Sequence, residues 1–171
     1  MSTSSVAGRR AHLVVDSPVG PITLVAADGA LAWLHMAEQR YPPAADSFGP
    51  ADAAALAEPA RQLAEYFAGT RTRFDLALAL GGTAFQQRVW QELQAIPYGE
   101  TVSYGELARR IGQPTASRAV GLANGRNPVG IIVPCHRVVG ADGSLTGYGG
   151  GIGRKRYLLA FEQRVSGRTL V

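Results

Sequence analysis

Ser103-Tyr-Gly-Glu-Leu-Ala-Arg-Arg-Ile-Gly-Gln-Pro-Thr-Ala-Ser-Arg-Ala-Val-Gly-Leu-Ala-Asn-Gly125 decides how the second half of this chain folds. Ser103 followed by Glu106 is a capping box, which starts a short helix and turns Leu107, Ala108 and Ile111 inward. Gly112-Gln-Pro114 breaks that helix, and Thr115 to Ala123 predicts a second one ending at Asn124-Gly125. Two short helices across a tight turn resemble a helix-turn-helix, with the second in the recognition position. An ordinary helical hairpin carries the same pattern, so charge has to separate the two.

The charge is unevenly divided. The 171 residues have a net charge of +4, from 16 arginines and one lysine against 13 acids. Residues 1 to 98 hold 7 basic and 9 acidic side chains, net −2, whereas 99 to 171 hold 10 and 4, net +6. A GC-rich coding bias accounts for arginine over lysine but not for the split. The asymmetry points to a second half that meets a polyanion, nucleic acid above all, and a first half that supports it.

Working outward, Asn127-Pro128 leads into Val129 to Val133, an apolar run expected as a buried strand or extended segment that delivers Cys135. Upstream, Thr83 and Gln86 form another capping box, for a helix with Phe85, Val89, Leu93 and Ile96 along one stripe, stopped by Pro97-Tyr-Gly99. Downstream, the Ala141-Asp-Gly143 turn and the glycine-rich run 147 to 153 precede a final helix over Arg154 to Arg164. The first half reads as strands at His12–Val15, Ile22–Ala26 and Ala30–Met36, a helix over Ala54–Phe67 and an alternating strand over Phe74–Leu80. Pro42 to Pro50 is expected as a polar loop. Gly81-Gly82 marks the boundary: a flexible terminus at 1–11, one domain over 12–82, a second over 83–165 and a tail at 166–171. With 46% hydrophobic residues there is ample core, and nothing approaches a membrane span. A cytoplasmic location is the expectation.

Cys135 is the only cysteine, which excludes a disulfide framework and a four-cysteine zinc site. His12, His35 and His136 lack metal-ligand spacing, so neither metal nor cofactor is expected. A lone thiol beside His136-Arg137 admits three chemistries. A hydrolase needs an oxyanion hole and returning water, and a redox sensor usually needs a resolving cysteine. An alkyl acceptor needs only a nucleophile, a slot for a base and a way to extract that base from a duplex, which suits a solitary cysteine. In an extended segment Cys135 and His136 would point apart, so the histidine either orients or acts through water, with Glu162 a candidate to fix its tautomer.

Pro134-Cys-His-Arg137, preceded by Gly121-Leu-Ala-Asn-Gly-Arg-Asn-Pro128 and followed by Gly147-Tyr-Gly-Gly-Gly151, resembles the O6-alkylguanine-DNA alkyltransferase family, the methylated-DNA–protein-cysteine methyltransferases. Phe85-Gln-Gln-Arg-Val-Trp90 and Ile96-Pro-Tyr-Gly-Glu100 extend the likeness over about 83 to 163, and 12 to 80 resembles the amino-terminal domain more loosely. The resemblance implies an α/β protein: a small ribonuclease-H-like α/β domain followed by a mostly helical, winged-helix-like DNA-binding domain. It also implies single-turnover repair of double-stranded DNA containing O6-alkylguanine, with O4-alkylthymine a poorer substrate. The implied state is a monomer without membrane association, cooperative loading on DNA being left open.

By the same resemblance Cys135 takes the alkyl group, His136 acts through a bound water, Glu162 bonds the histidine and Asn127 holds the turn before the active-site segment. Tyr104 lies over the pocket near the rotated phosphate and base, and Arg118 fills the space left by the flipped nucleotide. Ser103, Thr115, Ala116, Ser117, Ala119, Arg126 and Arg137 complete the implied DNA surface. Pro134, Val138, Tyr148, Gly149 and Gly150 line the guanine slot. The second helix docks in the minor groove, and Ala116, Ser117, Ala119, Val120, Gly121 and Ala123 make it slim enough.

Overall fold

In a computed structural model the described residues are 9–39, 47–145, 148 and 150–167. The expectations for 1–8, for most of the 42–50 loop, for Gly149 and for the tail from 168 lie outside them. The chain divides into two compact units, Met1–Ala37 with Pro42–Leu80, and Glu38–Tyr41 with Gly81–Val171.

The first unit is a three-stranded antiparallel sheet with a helix. Strands β1 (Arg10–Val15), β2 (Ile22–Ala27) and β3 (Ala30–Met36) lie in the order β1-β2-β3. Asp28 and Gly29, with φ of 51° and 80°, make the β2–β3 turn, where two consecutive positive φ angles match the twist of the strands. Ile22, Leu24, Leu34 and Met36 from the sheet, with Leu56, Leu63 and Tyr66 from α1 (Ala57–Phe67) and its approach, are buried. The expected strand over 74–80 does not form. The alternation is real, with Phe74, Leu76, Leu78 and Leu80 half-buried and 75, 77 and 79 exposed. The segment pairs only at a bridge of Leu78 to Leu31, where Leu31 N–H donates to Ala77 O and Ala79 N–H to Leu31 O, both at 2.9 Å. At Asp75 the Gln62 amide takes the place of a strand, donating to its carbonyl at 3.0 Å and accepting from its N–H at 2.9 Å.

The second unit begins with α2 (Ala84–Leu93), whose Thr83–Gln86 capping box is complete in both directions. Strand β4 (Val102–Ser103) runs into α3 (Tyr104–Arg110), capped by the Ser103 hydroxyl, and α4 (Ser117–Gly125) follows across the turn. Helix α4 starts two residues later than expected, and its N-cap residue, Ala116, offers no side-chain acceptor. The Trp90 indole N–H donates to Ala123 O at 2.9 Å and the Arg88 guanidinium donates to Ile111 O, so α2 grips the ends of both short helices. Strand β5 (Val138–Val139) pairs in parallel with β4, and α5 (Ile152–Ser166) closes the unit.

One expectation in this unit is corrected. Val129 to Val133 is buried but is neither strand nor extended: it coils through Ile131 at φ 71°, with Val133 N–H bonded to Val129 O. Pro134 then leads into one turn of 3-10 helix, Cys135–Arg137. Local bonds, Ile132 N–H to Gly130 O and Val133 N–H to Val129 O, and the Asn127 side chain on Val129 N–H and Val133 O hold the run in this coil instead of a strand.

Candidate active site

The sharp descent from α4 is held by two asparagines. Asn127 donates to Val133 O at 2.7 Å and accepts from Val129 N–H at 3.0 Å, stapling the coil. Asn124, one turn earlier, donates to the carbonyl of Cys135 at 3.3 Å. The thiol so placed is 6% exposed, and burial pushes its pKa up to about 11, against the lowering pull of the Asn127 side chain and of Lys155. At rest Cys135 is a neutral thiol.

The 3-10 turn aims His136 and Arg137 at one carboxylate. His136 Nε2 lies 2.7 Å from Glu162 Oε2, and Arg137 donates from Nε to Oε1 at 2.8 Å and from Nη2 to Oε2 at 3.0 Å. Gly99 N–H adds a longer contact to Oε1 at 3.4 Å. Burial alone would raise the Glu162 pKa, but His136 and Arg137 outweigh it and hold the carboxyl ionised. Burial holds His136 neutral against the pull of Glu162, with Arg137 and Lys155 adding to the effect. The fixed positive charge against Glu162 is therefore the guanidinium, and the imidazole is a neutral Nε2–H donor to the carboxylate. Its Nδ1 is buried without a hydrogen-bond partner among the described residues, and in this tautomer it carries a lone pair.

Helix α5 supplies the other side. Lys155, Leu158, Leu159 and Glu162 are buried at helical spacing, so an apolar stripe ends in a cation above and an anion below. Lys155 is fully buried, its pKa brought down to about 8 by desolvation, with Cys135 pulling the other way. Its ammonium sits 5.8 Å from the centroid of the Tyr104 ring. That ring, at the start of α3, also passes α4 at Gly121, where an added Cβ would lie 3.8 Å from it. Tyr148 is buried with its hydroxyl lacking a hydrogen-bond partner among the described residues.

The structure thus brings Cys135, His136, Glu162 and Asn127 into one buried cluster, with Pro134, Val138 and Gly150 also buried. Ser103 and Ala116 are half-buried N-cap residues, and Thr115, Ser117, Arg118, Ala119 and Arg126 are exposed around α4. Arg137 is the correction among the expected surface residues. It is buried, with its guanidinium turned to Glu162, to Ile96 O at 2.8 Å and to the Tyr98 ring, so it is not a surface cation. Val120 and Ala123 face inward, so neither belongs to a slim outer face. Sequence reasoning missed Lys155 and Asn124. Asn124, one turn from Asn127, was a usable signal, whereas nothing in the sequence marked Lys155 as buried. Among the described residues no His, Cys, Asp and Glu group is arranged to hold a metal ion, and no helix is long and apolar enough to cross a membrane.

A small sheet unit joined to a helix-turn-helix unit that encloses one thiol, backed by histidine, carboxylate and guanidinium, defines a class of DNA-binding folds built around a cysteine. Residues 12–80 match the ribonuclease-like domain and 84–164 the DNA-binding domain of 6-O-methylguanine DNA methyltransferase, and the chain belongs to that family. The methylated-DNA–protein-cysteine methyltransferase of Mycobacterium tuberculosis H37Rv is 58% identical over 152 residues, 89% of this chain and 92% of that protein. That of Methanosarcina acetivorans is 47% identical over 151 residues, 88% and 97% of the two chains. The crystal structure of Mycobacterium tuberculosis OGT in complex with DNA superposes with a TM-score of 0.87 at 56% identity, covering 91% of this chain and 94% of that one.

Proposed function

We propose that this protein is a methylated-DNA–protein-cysteine methyltransferase that repairs duplex DNA in the cytoplasm by taking the alkyl group of O6-alkylguanine onto Cys135, once per molecule. The observation that carries the reading is the buried Cys135 set against His136 and Glu162 in the DNA-binding domain of this family. The S–C bond forms at the alkyl carbon as the carbon–O6 bond breaks, and the bonding pair stays on guanine. Because burial keeps the thiol protonated, a base must take its proton as the transfer proceeds. Neutral His136 suits this role: its Nδ1 receives the proton through a water, while Glu162 fixes the tautomer and stabilises the imidazolium.

The leaving guanine is relieved of charge when a ring nitrogen receives a proton or hydrogen bond, which is the part of Tyr104. Arg118, exposed in the first turn of α4, fills the duplex where the damaged nucleotide has turned out. Thr115, Ala116, Ser117, Ala119 and Arg126 flank it on the DNA, with Ser103 behind Tyr104. Pro134, Val138, Tyr148 and Gly150 form the slot for the base, with Asn127 holding its floor. O4-alkylthymine enters the same slot less readily. The thioether product has no internal route back to thiol, so the protein is consumed; it works as a monomer.

Mass spectrometry after mixing with a short O6-methylguanine duplex tests the reading. The expected result is one added methyl on the peptide containing Cys135, stoichiometric with restored guanine and absent in Cys135→Ser. An unmodified peptide despite tight lesion binding would mean a lesion-recognition protein without transfer.

A further inference from the structure

Asn124, 1% exposed in the last turn of α4, uses only half of its amide. Its Nδ2 donates to the carbonyl of Cys135 at 3.3 Å, so it holds the peptide that joins the thiol-bearing residue to His136. A carbonyl accepts only from a donor, which fixes the orientation of the amide and turns Oδ1 away from that bond. Oδ1 is buried without a hydrogen-bond partner among the described residues, and so is His136 Nδ1. An apolar side chain here would avoid the cost of an unmatched buried carbonyl, so the oxygen calls for a donor. Oδ1 can only accept, and Nδ1, in the tautomer set by Glu162, carries a lone pair and can only accept. Two acceptors tied to the same peptide cannot bond each other. One water serves both, donating a hydrogen to each and keeping a lone pair for the Cys135 S–H.

We infer that Asn124 is a positioning residue for the proton transfer: its Oδ1 takes one hydrogen of the water that links the Cys135 thiol to His136 Nδ1. The inference rests on the function proposed above and adds a residue to its proton path. The step balances, because the thiol proton passes to the water as the S–C bond forms, the water's own hydrogen passes to Nδ1, and the water is left neutral. While the water carries the extra proton, its remaining hydrogen faces Oδ1, and a hydrogen bond from a charged donor is stronger than one from a neutral donor. Asn124 therefore favours the transfer more than the resting state. The two ends of its amide have separate roles, one on the proton and one on the Cys135 peptide, and pH distinguishes them.

Transfer from free O6-benzylguanine to the full-length protein, followed as a second-order rate at pH 7 and pH 10, leaves DNA binding out of the comparison. At pH 7 the thiol must lose its proton during transfer, whereas nearer its pKa of about 11 a growing share is already thiolate. Asn124→Leu should therefore slow the reaction about twentyfold at pH 7 but only about threefold at pH 10. The ionisable groups around the thiol, Tyr104, His136, Arg137, Tyr148, Lys155 and Glu162, are common to both proteins, so the ratio of rates isolates Asn124. Asn124→Met should behave in the same way, its unbranched chain fitting the space if the branched one does not. Adding Asn124→Leu to His136→Gln should cost no more than His136→Gln alone at pH 7, because both act on one proton. Melting transitions identify the folded variants. An unchanged rate at pH 7, an equal loss at both pH values, losses that multiply in the double variant, or failure of both single variants to fold would make Asn124 at most a structural tether and overturn the inference. Failure of the unsubstituted protein to alkylate Cys135, or His136→Gln reacting at the full rate, would instead overturn the proposed function.

Discussion

Cys135 is buried where its thiolate is disfavoured, and the groups that oppose that cost can be tested one at a time. With a pKa pushed up to about 11, only about one thiol in ten thousand is ionised at pH 7, so iodoacetamide should alkylate the free protein slowly. The rate should climb with pH toward 11, because raising pH supplies the thiolate. Lys155 pulls the thiol pKa down, so Lys155→Met should slow alkylation at pH 7 by about tenfold if it moves the value by one unit. A pH–rate curve with its midpoint near the ordinary thiol value of 9.0 would contradict the burial argument. Glu162→Gln tests the other side: Arg137 would lose its carboxylate inside the protein, and stability to urea should drop by about 3 kcal/mol or more. Cys135 was legible as the lone thiol and Glu162 as a candidate to fix the His136 tautomer, and the motif resemblance then implied both roles. Lys155 was not, because a lysine in an arginine-rich helix reads as solvated surface until the stripe through Leu158 and Leu159 shows which face is buried.

Among the elements, capped helices were the most legible and linking segments the least. Thr83–Gln86 and Ser103–Glu106 mark the starts of α2 and α3 because a cap is a local bond between near neighbours. Whether 74–80 becomes a strand depends on how much of β3 is offered to it, and whether 129–133 extends depends on the distance from α4 to β5. Neither quantity is local. The α5–turn contact carries its own prediction, since His136 and Glu162 both have folded pKa values below the ordinary 6.5 and 4.5. A depressed value means that the unfolded chain takes up the proton first, so stability is full above the ordinary value and is lost as pH falls toward the folded one. The urea midpoint should therefore begin to fall below about pH 6.5 and fall again below about pH 4.5. His136→Gln should remove the first of these two steps and keep the second. A midpoint flat from pH 7 to 5 would show that His136 is not held neutral.

Over the whole molecule, the division of charge is a property of sequence that no single contact reveals. Residues 99 to 171 carry net +6, and with Arg137, Lys155 and Glu162 buried the remaining side chains of that half still leave a positive excess. Transfer from duplex DNA should then depend on salt in a way that the chemistry at Cys135 does not. With only two phosphate contacts, raising NaCl from 50 to 200 mM should weaken duplex binding by about tenfold, while the reaction with free O6-benzylguanine holds nearly constant. Arg118→Ala should separate the same two reactions by a different route. It should slow repair in duplex DNA far more than reaction with the free base, because a free base needs no extrusion and leaves no gap to fill. Equal losses on both substrates would move Arg118 from the duplex to the pocket, and equal salt dependence would mean that the basic half serves something other than the DNA backbone.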